Sequence, residues 1–164
     1  MGTAFIHGVS GIDFKKNRCN SYKYLVYPEH LCFEISNNLE SYLSPEVSNR
    51  SYVTSYEREI YPTENIYFNI SQKLLKRDED INFFALYFRG TDDLEHNFWK
   101  YIDPDKFPWV SKEERDKYGN VIYDYYRKID EYIGSLLKYT DENTTVIVIS
   151  DHGHEPVFEF FNYD

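Results

Sequence analysis

The chain has 164 residues, of which 19% are aromatic and 28% are charged, and its formal net charge is -10. This length suits one folded, soluble domain, and the composition excludes disordered and fibrous classes. The net negative charge argues against binding to a nucleic-acid duplex, because such binding needs clustered Lys and Arg. No stretch approaches the roughly 20 apolar residues of a membrane span. The N-terminus lacks the basic segment followed by an apolar segment that is typical of a secretory signal peptide, so the sequence does not determine the compartment.

Residues 1–80 are predicted to be helical and irregular, with the character of an insertion. A first helix is predicted over 28–43, where leucine and isoleucine recur at near-helical spacing. A second helix is predicted over 63–76, with Thr63 as its N-cap and apolar residues every four positions. Neither predicted helix contains a recognisable catalytic or metal-binding motif, so we expect residues 1–80 to have a structural role.

Residues 81–153 are predicted to form a strand–helix–strand core. Apolar runs at 81–88 and 145–149 indicate buried strands, and between them a long amphipathic helix starts at Ser111 and extends to about Tyr139. The predicted buried stripe of this helix consists of Ile122, Tyr125, Ile129, Ile133 and Leu136. A helical crossover between strands favours an α/β fold, namely a three-layer α/β/α architecture with a mainly parallel sheet.

Carboxylate and imidazole groups follow each predicted strand. Asp92 and His96 are four residues apart, so a helical turn would place them on one face. Asp151 and His152 directly follow the last strand, and both pairs would arrive at the same edge of one sheet. An alternative makes Asp92 a helix N-cap and His96 a surface imidazole. The corresponding alternative for the second pair is a turn in which Gly153 supplies a positive φ.

A combination of carboxylate oxygen and imidazole nitrogen suits zinc or manganese better than calcium. Two such ions, roughly 3.5 to 4 Å apart, can polarise a phosphoryl oxygen and stabilise the attacking and leaving groups. Chemistry on a small-molecule phosphate ester is therefore the natural inference. His154 lies close to the second pair and is a candidate for a further ligand or a substrate contact.

These motifs, in this order, resemble the type I phosphodiesterase/nucleotide pyrophosphatase group of the alkaline phosphatase superfamily. The resemblance covers about residues 81–153 and depends on the Asp-x-x-x-His motif and on the apolar strand that ends in Ser-Asp-His-Gly. It implies two divalent metal ions, zinc or alternatively manganese. On this resemblance Asp92 and His96 bind one ion, and Asp151 and His152 bind the other.

The same resemblance implies parts for which we find no counterpart: an upstream metal-binding Asp, a Thr or Ser nucleophile and a downstream His. Thr3, Thr91 and Ser150 lack the context of that nucleophile. We therefore expect residues 1–164 to be a single-domain fragment of a larger catalytic domain, incomplete relative to the superfamily fold. Its parent would hydrolyse phosphoesters by in-line attack of Thr or Ser at a two-metal centre. The alternatives are a noncatalytic or degenerate metal-binding domain, or a sulfatase-like or phosphoglycerate-mutase-like relative.

Overall fold

The computed structural model describes residues 5–6, 26–27, 39–77 and 81–156. The α-helices are α1 (Pro45–Ser48), α2 (Ser55–Arg77), α3 (Gly90–Phe98), α4 (Lys112–Tyr118) and α5 (Val121–Leu136). Short 3-10 helices cover Leu39–Tyr42, Trp99–Tyr101 and Leu137–Tyr139. Two-residue strands, β1 (Phe5–Ile6) and β2 (Val26–Tyr27), pair antiparallel. Most of the helix predicted over 28–43 lies outside the described residues.

The predicted three-layer α/β/α architecture with a mainly parallel sheet is wrong, because the regular secondary structure of the described residues is helical apart from the two-residue antiparallel strands β1 and β2. The two runs predicted as buried strands form no strand ladder over 82–89 or 144–149. In the second run, Ile147 is 74% exposed and Ile149 is 86% exposed. A buried strand needs hydrogen-bonded neighbours and apolar layers on both faces. The described part of the chain supplies neither, so the apolar residues of the second run lie exposed to solvent in a segment without regular secondary structure.

The chain divides into two units, which are Met1–Ser51 with Glu59–Tyr87, and Tyr52–Arg58 with Phe88–Asp164. The described part of the first unit is built on α2, whose Tyr61 and Ile70 side chains are 1% and 2% exposed. The Asn65 side chain on this helix accepts a hydrogen bond from the Ser44 backbone N–H at 2.8 Å. This bond connects the segment before α1 to α2, the longest helix among the described residues.

The start of α2 differs from the prediction, because the helix begins at Ser55 rather than after Thr63. Thr54 and Glu57 form the missed start signal: the Thr54 hydroxyl accepts from the Glu57 backbone N–H at 3.1 Å, and the Glu57 carboxylate accepts from the Thr54 backbone N–H at 3.0 Å. This reciprocal pair is a Thr-x-x-Glu capping box. Thr63 lies inside the helix, and its hydroxyl donates to the backbone carbonyl of Glu59 at 2.8 Å.

The capping box predicted at Ser111 is confirmed. Its hydroxyl accepts from the Glu114 backbone N–H at 3.2 Å, and the Glu114 carboxylate accepts from the Ser111 backbone N–H at 3.0 Å. The single long helix predicted beyond it is wrong, since α4 and α5 are separate helices divided at Gly119. A Cβ atom at Gly119 would lie 2.6 Å from the Arg115 carbonyl oxygen, so any larger residue there would require the backbone at the helix end to shift.

Helices α3 and α5 pack together and form the core of the second unit. Leu94 on α3 is 0% exposed and Tyr125 on α5 is 1% exposed. The predicted stripe of α5 is confirmed at Ile122, Tyr125 and Ile129, whereas its last two members are partly exposed and Tyr132 is buried instead. Within the described ranges, none of the helices combines the length and apolar character needed to cross a membrane.

Candidate metal centre

Helix α3 places Asp92 and His96 side by side on its polar face. The His96 Nε2 atom lies 3.3 Å from the Asp92 Oδ1 atom. Asp92 is not the N-cap, because α3 begins at Gly90 and Asp92 lies in its first turn. A carboxylate is favoured at that position by the positive end of the helix dipole. Leu94, between the two residues, is buried in the core and fixes which face of α3 points outward.

The second predicted pair reaches the first through His152. Its Nε2 atom lies 3.9 Å from the Asp92 Oδ1 atom and 3.8 Å from the Asp151 Oδ2 atom. The Asp151 side chain is 74% exposed. Gly153 does not adopt a positive φ, so the alternative of a glycine-dependent turn does not apply. The two clusters thus meet without the parallel sheet that had been expected to align them.

Nearby oxygens raise the pKa of the His152 imidazole above its ordinary value. The largest cause is the backbone carbonyl of Gly153, which lies 3.0 Å from the His152 Nδ1 atom. The negative charge of Asp151 is next, and Asp92 and Glu95 add smaller contributions. An environment that favours the positively charged imidazole also favours a bound cation, because the same oxygens stabilise both.

His154 completes the cluster around α3. One ligand atom from each of Asp92, His96 and His154 lies within 4.8 Å of the others. The His154 side chain is only 7% exposed. Its ring meets the His96 ring edge to face, with centroids 4.7 Å apart, and packs on the Trp99 ring at 5.1 Å. The residue predicted as a further ligand or substrate contact is therefore held inside the site by two aromatic neighbours.

Sequence reasoning missed two side chains at this site, Glu95 and Tyr126. One oxygen of Glu95 lies 3.8 Å from the His154 Nδ1 atom, and the other accepts a hydrogen bond from the Tyr126 hydroxyl at 2.8 Å. Partial burial, followed by this bond to the carboxylate, raises the pKa of Tyr126 to about 12. Glu95 directly precedes His96, but no spacing rule singles it out. Tyr126 lies on α5 and reaches the site only because α3 and α5 pack together.

The donor set and the geometry fit a divalent metal ion. Asp92, His96 and His154 offer one carboxylate and two imidazoles, a combination found in catalytic zinc sites. Bonds from zinc to nitrogen or oxygen are about 2.0–2.2 Å, so two donors on one ion lie at most about 4.4 Å apart. The 3.3 Å contact between Asp92 and His96 meets this limit, and modest side-chain movement brings the 4.8 Å set within it.

A centre of one carboxylate and two imidazoles has the composition of catalytic zinc sites. A sequence model of the type I phosphodiesterase / nucleotide pyrophosphatase family matches residues 7–163, and the chain belongs to that family. The matched residues extend on both sides of the segment 81–153, which contains the two Asp/His motifs. Members of the family are typically metal-dependent, and the family implies phosphoester substrates. Neither the comparison with curated proteins nor that with solved structures returns a match.

Proposed function

We propose that this chain binds divalent metal ions for the hydrolysis of small-molecule phosphodiesters or nucleotide pyrophosphates. The observation that carries the proposal is the shared carboxylate: the Asp92 Oδ1 atom lies 3.3 Å from His96 and 3.9 Å from His152. The family membership supports the substrate class. An acidic chain can still attract an anionic phosphoester, because bound divalent cations dominate the local field.

We assign one ion to Asp92 and His96 and a second ion to Asp151 and His152, with zinc as the metal and manganese as the alternative. His154 is the third protein ligand of the first ion, because its ligand atom lies within 4.8 Å of those of Asp92 and His96. Three protein ligands leave an open position for a reacting group, as catalytic zinc requires. Imidazole and carboxylate donors suit both metals.

When bound, the ions would polarise the phosphoryl group and stabilise negative charge on the attacking and leaving oxygens. The residues of this chain hold that arrangement in place. The Asp92 carboxylate would neutralise part of the positive charge of the bound ions, and it faces both His96 and His152. The aromatic contacts of His154 with His96 and Trp99 limit its rotation, and the His154 side chain is only 7% exposed.

The nucleophile of the proposed reaction is a Thr or Ser outside the described residues, with this chain forming part of a larger catalytic domain. Within the described ranges, the Ser150 hydroxyl donates to the backbone carbonyl of His152, which commits its proton to a structural bond. In the complete enzyme the hydroxyl oxygen would attack phosphorus in line as the ester oxygen leaves, and water would then hydrolyse the covalent phospho-enzyme. The same observation favours the second candidate, a noncatalytic metal-binding domain.

Calorimetric titration with zinc and with manganese tests the binding step. We expect the wild-type chain to bind zinc, and the double variant His96→Ala/His154→Ala to lose most of that affinity. Asp93→Asn is the matched control, because the Asp93 carboxylate pairs with Arg89 at 3.1 Å instead of facing the cluster. Equal zinc affinity in the wild type and the double variant would contradict the ligand assignment.

A turnover assay separates the catalytic proposal from the noncatalytic one. A chromogenic phosphodiester is offered to the zinc-loaded chain, and we expect no turnover by residues 1–164 alone, because the described residues place no activated hydroxyl beside the candidate metal ligands. A longer parent that contains the nucleophile should turn over the same substrate. Robust turnover by this chain that is lost in Asp151→Ala would refute the assignment of the nucleophile to another segment.

A further inference from the structure

Glu95 lies between a metal-ligand candidate and a tyrosine. Its Oε2 atom is 3.8 Å from the His154 Nδ1 atom, while its Oε1 atom accepts from the Tyr126 hydroxyl at 2.8 Å. The Glu95 side chain is 14% exposed. Largely buried carboxylates are costly unless both oxygens meet donors. The Tyr126 hydroxyl donates to one oxygen of Glu95, and the polar group that faces the other oxygen is the His154 imidazole, at 3.8 Å and therefore just beyond hydrogen-bond distance.

A histidine can bind a metal ion through only one ring nitrogen, so the proton on the other nitrogen decides which one is free. In metal sites that second nitrogen commonly donates to a carboxylate, which fixes both the tautomer and the ring orientation. A proton on the Nδ1 atom of His154 would face the Glu95 carboxylate and would leave the lone pair of Nε2 free for a metal ion. The ring contacts of His154 with His96 and Trp99 restrict the plane of the imidazole.

We propose that Glu95, held by the Tyr126 hydroxyl, is the positioning residue that sets the tautomer and orientation of His154 for metal binding. The inference rests on the proposed function, because it concerns the same centre. Glu95 acts through His154 rather than on the ion itself. The carboxylate of the neighbouring residue Asp93 does not have this positioning role, because it forms an ion pair with Arg89.

Two variants test the proposal. Glu95→Gln keeps the shape of the side chain but has only one accepting oxygen, and an amide N–H turned toward His154 would favour the opposite tautomer. Tyr126→Phe leaves the carboxylate and removes only its hydrogen-bond donor. The matched controls are Asp93→Asn on the same helix and Tyr123→Phe, whose residue on α5 is 49% exposed, close to the 48% of Tyr126.

The first readout is the tautomer of His154 in the metal-free protein, measured by nitrogen-15 NMR at a pH where the imidazole is neutral. We expect the Nδ1–H form in the wild type and both controls, and a shift toward the Nε2–H form in Glu95→Gln. The second readout is zinc affinity by calorimetry. We expect a roughly 10- to 100-fold loss in Glu95→Gln, as for other second-layer carboxylates, and a smaller loss in Tyr126→Phe.

An Nε2–H tautomer in the wild type, or zinc affinity unchanged in both variants, would overturn the proposal. A wild-type chain that shows the Nδ1–H tautomer but binds no zinc would refute the proposed function. In that case the contact between Glu95 and His154 would be purely structural, which also overturns a positioning role. Because the tautomer is measured without metal, failure of the contact and failure of metal binding are distinguishable.

Discussion

The Asp92 Oδ1 atom lies 3.3 Å from the His96 Nε2 atom, within a single helical segment. The same oxygen lies 3.9 Å from the His152 Nε2 atom, which follows α5 in the chain. One carboxylate oxygen thus joins a local pair to a distant one. Because this oxygen faces both imidazoles, we expect the loss of the Asp92 carboxylate to weaken metal binding most.

Asp92→Asn is expected to weaken zinc binding more than His152→Ala does. The substitution removes the negative charge that faces two imidazoles, whereas His152→Ala removes one neutral donor. Isothermal titration calorimetry should show at least about a tenfold loss of affinity, in line with the 10- to 100-fold effects seen when supporting groups of metal sites are changed. An equal loss of affinity in Asp93→Asn would show that charge alone, rather than the position of Asp92, governs binding, and would contradict the prediction.

Leu94→Ala should destabilise the second unit by about 2–5 kcal/mol, because it leaves a cavity where a completely buried side chain packed between α3 and α5. Urea unfolding followed by the fluorescence of Trp99 and Trp109 reports on this unit, which contains both residues. Ile147→Ala serves as the comparison, since Ile147 is 74% exposed and its truncation should change the free energy of unfolding by less than about 0.5 kcal/mol. Equal effects would contradict the described packing.

Thr54→Ala should lower the free energy of unfolding by about 1 kcal/mol, because its hydroxyl caps α2 by accepting from the Glu57 backbone N–H. Thr63→Ala removes a hydroxyl inside the same helix and should be neutral or slightly stabilising, since alanine has the higher helix propensity. Denaturant unfolding followed by circular dichroism compares the two variants. If Thr63→Ala proved the more destabilising, the helix would begin near Thr63 after all.

Tyr126 should ionise only near pH 12, because burial and the hydrogen bond to Glu95 raise its pKa from 10.0 to about 12. The folded state therefore holds the proton more tightly than the unfolded state, and stability present below pH 10 is lost as the pH rises toward 12. Phenolate absorbance measures this titration directly. Glu95→Gln should lower the pKa of Tyr126 only part of the way, because burial remains, and Asp93→Asn should leave it unchanged.

Local sequence signals determined several features of this protein correctly. The capping box at Ser111 and the placement of Asp92 and His96 on one helix face depend only on spacing within one or two turns, so they could be predicted. The same kind of signal was present at Thr54 and Glu57, and would have located the start of α2. The order of the metal-site motifs also identified the family, which the match over residues 7–163 confirms.

Only the tertiary structure decided how distant parts of the chain meet. The apolar run that includes Ile147 carries the pattern of a buried strand, but a strand also needs partners, and the described residues provide none. In the same way, nothing in the sequence near Glu95 points to Tyr126 or His154. Packing of α3 on α5 brings the tyrosine to that carboxylate, and the chain after α5 returns the histidine to it. Periodicity reports which face of an element is apolar, whereas contacts between elements depend on how the whole chain packs.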